Sequence, residues 1–291
     1  MIIVDLNQVM IANMMAQLGA HKNAPLSEDM LRHMVLNGIR SYKTKFSAKY
    51  GEMVIAADAR HSWRKDVFPY YKANRGTDRD ASEIDWDFVF GCFNKLREEL
   101  REFFPYRVIW ADGLEADDVI AVLARENAPQ AFGDIVTGDR VLILSGDKDF
   151  KQLQKYAGVD QYCPTQKKWL TTDDPAKFLQ EHIIRGDKGD GVPNILSSDD
   201  SIVKKIRQKS IMEKKVDVWL KSPGDSFCEN EEMRRNYHRN RVLIDLDCTP
   251  DHLAQEVIRQ FREQEGKDRR KLQSYFIHHN LKHLFQYIGD F

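Results

Sequence analysis

The chain has 291 residues, enough for one large α/β domain or two modest ones with a substantial core. Charged residues make up 31% of it and hydrophobic residues 42%, as in ordinary soluble globular proteins. No apolar run approaches the roughly 20 residues of a membrane helix, and the first residues lack the features of a signal peptide. The four cysteines form no Cys-x-x-Cys pair, which argues against a disulfide scaffold or a zinc site. We therefore expect a soluble cytoplasmic protein that does not contact membranes.

The net charge of −1 conceals a segregation of charges along the chain. Lysine and arginine prevail in segments 60–79 and 202–221, whereas the acidic residues form short clusters elsewhere. Either basic segment alone would suit a solvated helix face. Basic stretches together with clustered carboxylates indicate a protein that binds a polyanion and divalent metal ions.

Alternating strands and helices are predicted along the first 180 residues. Segments with apolar residues three and four positions apart predict helices, one capped by Ser27 and ending before Gly51, one opening at Ser82 and one over Leu114–Glu126. Between them, short apolar and β-branched runs predict four strands: Ile2–Leu6, Met53–Asp58, Arg107–Trp110 and Arg140–Ser145. This alternation predicts a mostly parallel sheet with helices on both faces. After about residue 182 strand signals largely stop, apart from Val242–Ile244, so the last third is expected to be mainly helical.

Aspartates follow three of the predicted strands. Asp5 ends the first strand, Asp58 ends the second and Asp147 follows the fourth. Because ligands bind outside the carboxyl ends of the strands in an open parallel sheet, the three side chains should meet in one crevice. A single aspartate at a strand end is usually a turn or cap residue. Three of them predict a shared metal site.

Further carboxylates lie at the start of a helix (115–118) and in two turns (145–149 and 186–191). Acids in a first helical turn also complement the helix dipole, which alone would explain the first cluster. A calcium-binding EF-hand does not fit the second, because Gln152 and Gly158 occupy the positions that need glycine and glutamate. No histidines have the spacing of a tight ligand pair. An all-oxygen ligand set favours magnesium or manganese over zinc.

Phosphoryl transfer is the reaction class that this composition fits best. Carboxylates crowded into one cleft repel one another, and two divalent ions would neutralise them. One such ion activates water as a nucleophile and the other stabilises the leaving oxygen of a phosphodiester. Segment Tyr70–Gly76 interleaves aromatic and basic residues, which either stack on bases and contact phosphates or form an exposed amphipathic turn.

The order of these motifs resembles that of the 5′-nuclease (flap endonuclease-like) family. The shared features are the strands ending in Asp5 and Asp58, followed by Tyr-Lys-Ala-Asn-Arg at 71–75, Glu-Ala-Asp-Asp at 115–118, Ser-Gly-Asp-Lys-Asp at 145–149 and Gly-Asp-Lys-Gly-Asp at 186–190. Within that family, the surroundings of Trp63–Asp66, Lys167–Trp169 and Ser274–Phe276 are most similar to the ribonuclease H group of T-even phages. The resemblance extends over nearly the whole chain.

The resemblance implies a nuclease core of the PIN type, a helical arch over the active site and a helix-three-turn-helix-like motif that grips duplex DNA. It implies that Lys72 reaches the scissile phosphate, Arg75 contacts phosphate and Tyr71 stacks on a base, with Asp147 completing the predicted catalytic set. Asp187 and Asp190 would act on the second metal through water. The remaining metal-site acids by motif position are Asp5, Asp58, Glu115, Asp117, Asp118, Asp147 and Asp149.

The sequence departs from the family pattern after residue 190. Many members have a glycine-rich hairpin there that binds a monovalent cation, but residues 191–200 lack the Gly-x-Gly element. Duplex binding is therefore expected to rest partly on basic residues of segment 204–215. The predicted nucleic-acid-binding residues are Arg64, Lys65, Tyr71, Lys72, Arg75, Lys188, Lys204, Lys205, Arg207 and Lys209.

By this resemblance we expect a magnesium-dependent 5′-to-3′ exonuclease and flap endonuclease that removes RNA primers in lagging-strand replication. Residues 1–182 would form the nuclease core, with the arch at about 60–95, and residues 183–291 a mainly helical duplex-binding region. Two Mg²⁺ ions are the expected cofactors, and Mn²⁺ is expected to substitute for them. The protein is expected to be a monomer in the cytoplasm, or in the host cytoplasm if the gene is phage-encoded. Expected partners are RNA–DNA hybrids, 5′-flap or forked duplex DNA, and a single-stranded-DNA-binding protein or sliding clamp.

Two alternatives remain at this stage. A PIN-type endoribonuclease shares the acidic core but explains neither segment 71–75 nor the turn at 186–190. A non-catalytic, structure-specific DNA-binding protein would be expected to have lost some of the acids, yet all nine are present.

Overall fold

The computed structural model of the protein describes residues 1–20, 26–74, 84–132 and 135–291. Eight strands lie in these ranges: β1 (Ile2–Asp5), β2 (Met53–Ala56), β3 (Arg107–Ile109), β4 (Gln130–Phe132), β5 (Ile135–Thr137), β6 (Val141–Leu144), β7 (Val159–Cys163) and β8 (Lys168–Leu170). The α-helices there are α1 (Leu6–Ala20), α2 (Glu28–Tyr50), α3 (Trp63–Val67), α4 (Trp86–Phe103), α5 (Ala116–Asn127), α6 (Pro175–Arg185), α7 (Glu213–Trp219), α8 (Glu231–Ile244), α9 (Asp251–Glu263), α10 (Leu272–His278) and α11 (Lys282–Phe285). Short 3₁₀ helices span Lys148–Lys155, Leu246–Cys248 and Ile288–Asp290.

A six-stranded sheet in the order β3-β2-β1-β6-β7-β8 forms the centre of the fold. Its first five strands are parallel, and β8 pairs antiparallel with β7. Every residue of β1, β2 and β6 is buried, because helices cover both faces of the sheet. The predicted mostly parallel α/β fold is therefore confirmed.

The three predicted helices are present, with exact boundaries for the first and starts two to four residues later for the others. Ser27 caps α2, with its hydroxyl accepting from the backbone N–H of Met30, and Gly51 follows its last residue with a φ of 79°. Helix α4 begins at Trp86 and has Asp85 as its cap, whereas the predicted cap Ser82 lies outside the described residues. The segment expected to form the arch, about 60–95, likewise includes residues 75–83, which are not described.

One strand prediction was wrong, and four of the eight described strands, β4, β5, β7 and β8, were not predicted. Val242–Ile244 form the last turn of α8 and not a strand. Strand β7 was not predicted because polar residues interrupt its apolar pattern; its buried Gln161 donates to the backbone carbonyls of Ser145 and Asp147. The small antiparallel hairpin of β4 and β5 was also not predicted.

Three apolar clusters form the core of the described chain. The first packs α1, α2 and α4 against one face of the sheet and includes C-terminal side chains from Leu272 to Phe291. The second lies on the opposite face beneath α5 and α9. The third joins residues 183–244 to Phe68 and Tyr71. The predicted C-terminal region is thus divided, since residues 183–244 build their own cluster and the last helices complete the core of the sheet.

The segment that connects α6 to α7 consists of turns and extended stretches over residues 186–212. The predicted helix-three-turn-helix-like motif falls on this segment, between α6 and α7. Among the helices of the described ranges, none combines the length and apolarity needed to cross a bilayer.

A buried ion pair ties the C-terminal helices to the core. Arg32 of α2 donates from Nε and Nη2 to the two oxygens of Glu99 in α4, at 2.9 and 2.8 Å, and the hydroxyl of Tyr275 in α10 donates to Glu99 at 2.6 Å. Glu99→Gln should lower the free energy of unfolding by about 3 kcal/mol, because it removes the buried counter-charge of Arg32 and leaves only the more exposed carboxylates of Glu28 and Asp29. Tyr275→Phe should lower the free energy of unfolding by about 1.5 kcal/mol, which is the contribution of one hydrogen bond to a charged group.

Urea unfolding at constant m-value measures both effects. The matched control is Glu263→Gln, which breaks an exposed ion pair with Arg259 and should leave the unfolding free energy nearly unchanged. Equal stability of the Glu99→Gln and Glu263→Gln variants would show that the buried pair does not hold the C-terminal helices in place.

Candidate active site

The structure brings the three strand-terminal aspartates to one edge of the sheet. Asp5 Oδ2 accepts a hydrogen bond from Ser145 Oγ at 3.0 Å, and the same Oγ accepts from the backbone N–H of Asp147 at 3.1 Å. Asp58 Oδ1 accepts from the backbone N–H of Ala116, the first residue of α5, at 2.8 Å. Burial raises the pKa of Asp5 to about 7, and the charges of Asp58 and Asp147 add to this rise. These carboxylates therefore repel one another in one crevice.

The start of α5 adds two carboxylates with opposite electrostatic surroundings. Burial would raise the pKa of Glu115, but the charges of Lys72 and Arg64 outweigh it and lower that pKa to about 2. Lys72 Nζ donates to Glu115 Oε1 at 2.6 Å, and the hydroxyl of Tyr71 donates to Oε2 at 2.9 Å. Desolvation raises the pKa of Asp117 well above its ordinary value; Lys72 opposes the rise, whereas the charges of Asp147, Glu115 and Asp5 add to it. Asp117 thus belongs to the crowded carboxylates.

Asp118 points away from this group and its side chain is completely buried. Its Oδ1 accepts from Trp63 Nε1 at 3.2 Å and from Thr249 Oγ1 at 2.9 Å. Its Oδ2 accepts from Arg64 Nη1 and from the backbone N–H of Glu115, both at 2.9 Å. The expectation that Asp118 binds metal does not fit these surroundings, because protein donors already occupy both oxygens. One step along a helix turns a side chain by about 100°, which separates Asp118 from Asp117.

A second group of acids lies beside the first, around the turn that follows α6. Asp187 Oδ2 accepts from Lys148 Nζ at 2.8 Å and contacts His182 Nε2 at 2.9 Å, while Oδ1 accepts from the backbone N–H of Asp190 at 3.1 Å. Burial would raise the pKa of Asp187, but the hydrogen bonds from His182 and Lys148 hold that pKa well below its usual range. Burial and the charge of Asp147 raise the pKa of Asp149 to about 7. Asp149 therefore connects the two acidic groups.

Sequence reasoning did not select His182, which contacts both Asp149 and Asp187. The histidine lies in the last turn of α6, and Gly186, with a φ of 69°, turns the chain so that Asp187 comes back to the imidazole. A Cβ atom at Gly186 would lie 2.4 Å from the backbone oxygen of Val192, so this turn needs glycine. The spacing of five residues gave no signal, because it matches neither a helix face nor a known ligand motif.

The turn at residues 70–73 joins the two acidic groups. The hydroxyl of Tyr71 contacts both Glu115 Oε2 at 2.9 Å and Asp190 Oδ2 at 3.0 Å. Lys72 Nζ lies 3.7 Å from Asp190 Oδ2, and its backbone N–H donates to the carbonyl of Asp190 at 2.8 Å. Lys72 therefore places a positive charge between the two groups.

The predicted nucleic-acid-binding residues fall into two sets. Arg64 is 1% exposed and Tyr71 is 2% exposed in this structure, which does not fit the predicted contacts of these two residues with nucleic acid. The guanidinium of Arg64 donates to Glu115, Asp118 and the carbonyl of Leu243, and the hydroxyl of Tyr71 donates to Glu115. Arg75 lies outside the described residues. The side chains exposed to solvent are those of Lys65, Lys188, Lys204, Lys205, Arg207 and Lys209.

A cleft of about 880 Å³ opens beside Asp58 and Glu115. Its wall combines cationic and aromatic side chains, namely Arg60, Lys65, Lys72, Phe90, Arg97 and Trp110. The guanidinium of Arg97 stacks on the ring of Trp110, with 4.4 Å between Cζ and the ring centroid. Such a surface suits a nucleic-acid strand that leads to the carboxylates.

The acidic groups fit divalent cations. Oxygens predominate among the converging side chains, and Asp149 Oδ1 is buried without a hydrogen-bond partner among the residues that the structure describes. Burial first, and then the charges of neighbouring carboxylates, raise the pKa of Asp5, Asp117 and Asp149. A divalent cation supplies a compensating positive charge and favours oxygen ligands.

A parallel sheet that collects carboxylates at its carboxyl edge, next to a cationic cleft, defines a metal-dependent phosphodiesterase of the α/β class. Residues 2–182 match the family described as 5′-3′ exonuclease, N-terminal resolvase-like domain. Residues 177–291 match the family described as T4 RNase H, C terminal. The chain therefore belongs to the 5′-3′ exonuclease family, a family of metal-dependent nucleases, and the predicted family and enzyme class are confirmed.

Known relatives agree with this assignment. Ribonuclease H of Enterobacteria phage T4 is 30% identical over 298 residues, covering 99% of this chain and 95% of the relative. The flap endonuclease Xni of Shewanella oneidensis is 31% identical over 142 residues, or 46% of this chain and 48% of its own length. The flap endonuclease of bacteriophage T5, crystallised with DNA and metal ions, has the same fold, with a TM-score of 0.59 at 19% identity over 91% of this chain and 98% of that one.

Proposed function

We propose that this protein is a Mg²⁺-dependent 5′ nuclease that cleaves RNA–DNA hybrids and duplex DNA from 5′ ends and flaps, as in the removal of RNA primers during lagging-strand replication. The observation that carries the proposal is the meeting of two acidic groups at the carboxyl edge of the sheet, with Lys72 between them. The T4 relative bears the name ribonuclease H, and the T5 neighbour was crystallised with DNA and metal ions. Both support a nucleic-acid substrate.

Two Mg²⁺ ions, or Mn²⁺ in their place, would be held by the two acidic groups. The first group offers Asp5, Asp58, Glu115, Asp117 and Asp147. The second offers Asp149 directly, with Asp187 and Asp190 acting through water. When bound, such ions lower the pKa of a water molecule and neutralise charge on the phosphodiester oxygens. Asp118 is left out of this set and is assigned to the fold.

The remaining roles belong to cations of the chain. Lys72 lies near carboxylates of both acidic groups and is proposed to contact the scissile phosphate, and Arg75 is proposed to contact a neighbouring phosphate. Lys65 would receive the 5′ single strand in the cleft. The duplex would lie against the exposed cations of segment 186–212, which are Lys188, Lys204, Lys205, Arg207 and Lys209. Because each neutralised phosphate releases counter-ions, binding should weaken steeply with salt.

In this proposal residues 1–182 provide the nuclease core of a monomer and residues 183–291 its mainly helical region, within which residues 183–244 bind the duplex. A role at the replication fork would also bring the protein next to a single-stranded-DNA-binding protein or a sliding clamp.

The proposal is tested with two 5′-labelled duplexes, one carrying an annealed RNA primer and one a 5′ DNA flap. Incubation with Mg²⁺ should release short products with 5′-phosphates, and EDTA should abolish their release. The Asp147→Asn variant should bind both duplexes without cleaving them. A third substrate, with its 5′ end blocked by biotin and streptavidin, should resist cleavage because the strand cannot be engaged from its end.

Each alternative predicts a different pattern. Tight binding without cleavage in both Mg²⁺ and Mn²⁺ would contradict the proposal and indicate a non-catalytic structure-specific binder. Equal cleavage of blocked and free RNA ends, with no cleavage of the DNA flap, would indicate an endoribonuclease.

A further inference from the structure

The imidazole of His182 lies between two carboxylates in the second acidic group. Its side chain is 7% exposed. Nε2 lies 2.9 Å from Asp187 Oδ2, and Nδ1 lies 3.4 Å from Asp149 Oδ1. Within the described ranges of the chain, neither His182 Nδ1 nor Asp149 Oδ1 has a hydrogen-bond partner, although both atoms are buried. Two buried polar atoms thus face each other at 3.4 Å without a hydrogen bond between them.

The neighbours of Asp187 determine which imidazole nitrogen carries the proton. Asp187 Oδ2 also accepts a hydrogen bond from the ammonium group of Lys148 at 2.8 Å, so this carboxylate acts as an acceptor. Nε2 must therefore donate to it. In the neutral imidazole Nδ1 then carries a lone pair, and this lone pair faces Oδ1 of Asp149, which is an acceptor when the carboxyl is ionised.

Two buried acceptors that face each other in this way can share a cation. Ligand atoms about 2.1 Å from one ion are about 3.0 to 3.4 Å apart for angles between octahedral and tetrahedral. The observed 3.4 Å between Nδ1 and Oδ1 falls at the upper end of this range. The contact of Nε2 with Asp187 supplies the carboxylate–histidine arrangement that fixes the tautomer and orientation of metal-binding histidines.

We propose that His182 Nδ1 and Asp149 Oδ1 bind one divalent ion together and that the nitrogen ligand makes this position prefer transition-metal ions over Mg²⁺, with Mn²⁺ as the probe that can be observed. Imidazole suits transition-metal ions, whereas Mg²⁺ prefers oxygen ligands. Asp187 acts as a positioning residue, because it accepts a hydrogen bond from Nε2 and so orients Nδ1. The inference rests on the metal site of the proposed function and adds to it a nitrogen ligand that the sequence pattern did not reveal.

Pulsed electron paramagnetic resonance of the full-length protein loaded with Mn²⁺ alone tests this ligand directly. The wild-type protein should show a ¹⁴N coupling from a directly bound imidazole. His182→Gln keeps an amide group near the Nε2 position, able to contact Asp187, but removes Nδ1. It should lose the ¹⁴N coupling and bind Mn²⁺ about 10- to 100-fold more weakly. Mg²⁺ affinity should change much less, so the ratio of the two affinities should fall.

The matched control is His238→Gln, which alters an exposed histidine that contacts Asp225 at 3.0 Å, outside the acidic groups. It should keep both the ¹⁴N coupling and the Mn²⁺ affinity of the wild-type protein. His182→Asn is the second variant, because its amide oxygen can replace Nδ1 as a ligand. It should restore binding of Mg²⁺ better than binding of Mn²⁺ and should show no imidazole coupling. Thermal unfolding in EDTA establishes that each variant is folded.

A wild-type protein without ¹⁴N coupling, or a His182→Gln variant that retains the coupling and the Mn²⁺ affinity, would overturn the inference. His182 would then be a cation that bridges Asp149 and Asp187 without metal. Cleavage of the RNA-primed duplex by the wild-type protein separates this result from the proposed function. Cleavage without ¹⁴N coupling refutes the histidine ligand alone, whereas coupling without cleavage supports the ligand and refutes the nuclease proposal.

Discussion

Asp117→Asn is expected to reduce single-turnover cleavage by about 10³-fold or more while leaving the metal-free protein as stable as the wild type, or slightly more stable. Loss of a ligand that helps to hold a divalent ion costs several kcal/mol of transition-state stabilisation, and each 1.36 kcal/mol is a factor of ten in rate. Without metal, Asp117 contributes mainly repulsion, since desolvation and the charges of Asp147, Glu115 and Asp5 raise its pKa. Removing its charge relieves that repulsion.

The neighbouring substitution Asp118→Asn should have the opposite effects: it should lower stability and preserve cleavage. Both oxygens of Asp118 accept hydrogen bonds from buried donors, including Arg64 and Trp63, and an amide nitrogen cannot accept them. The expected loss is about 3 kcal/mol of unfolding free energy, because a buried charge pair is broken. The protein that stays folded at low temperature should still cleave, so the two substitutions separate activity from stability.

Single-turnover cleavage of a 5′-labelled flap duplex at saturating Mg²⁺, together with urea unfolding in EDTA, measures both effects. The assignment of Asp118 to the fold would be refuted if both variants lost cleavage to the same degree and neither lost stability.

The sequence predicted the strands that are buried on both faces of the sheet. Strands β1, β2, β3 and β6 are short apolar runs, and they place Asp5, Asp58 and Asp147 at the carboxyl edge. Strand β7 was not predicted, because its buried Gln161 interrupts the apolar pattern. The amide of Gln161 satisfies the carbonyls that follow β6, a long-range contact that propensity does not encode. Tertiary context therefore explains the missing strand.

The sequence could not separate neighbouring residues of like charge. Asp117 and Asp118 both belong to the motif at 115–118. The register of α5, which begins at Ala116, turns Asp117 toward the crevice and Asp118 into the core. His182 was missed for a related reason. Its contact with Asp187 depends on where α6 ends and on the positive φ of Gly186, and neither is visible in the spacing alone.

Arg64 and Lys65 are adjacent cations for which we expect different roles. Arg64 should contribute mainly to stability and Lys65 mainly to DNA binding. Arg64→Met should lower the free energy of unfolding by about 3 to 5 kcal/mol, because it leaves the buried Asp118 without its counter-charge and leaves Glu115 paired with Lys72 alone. Lys65→Met should change stability by less than about 0.5 kcal/mol, since Lys65 is exposed and lines the cleft.

Binding of a fluorescent 5′-flap duplex, followed by anisotropy over a range of salt concentrations, distinguishes the two side chains further. Lys65→Met should weaken binding and reduce the salt slope by about one, as expected for the loss of one phosphate contact. Folded Arg64→Met protein should keep the wild-type slope, because a guanidinium enclosed by Glu115, Asp118 and the carbonyl of Leu243 neutralises no phosphate. A reduced slope at unchanged stability in Arg64→Met would instead mean that Arg64 leaves its buried partners to bind DNA.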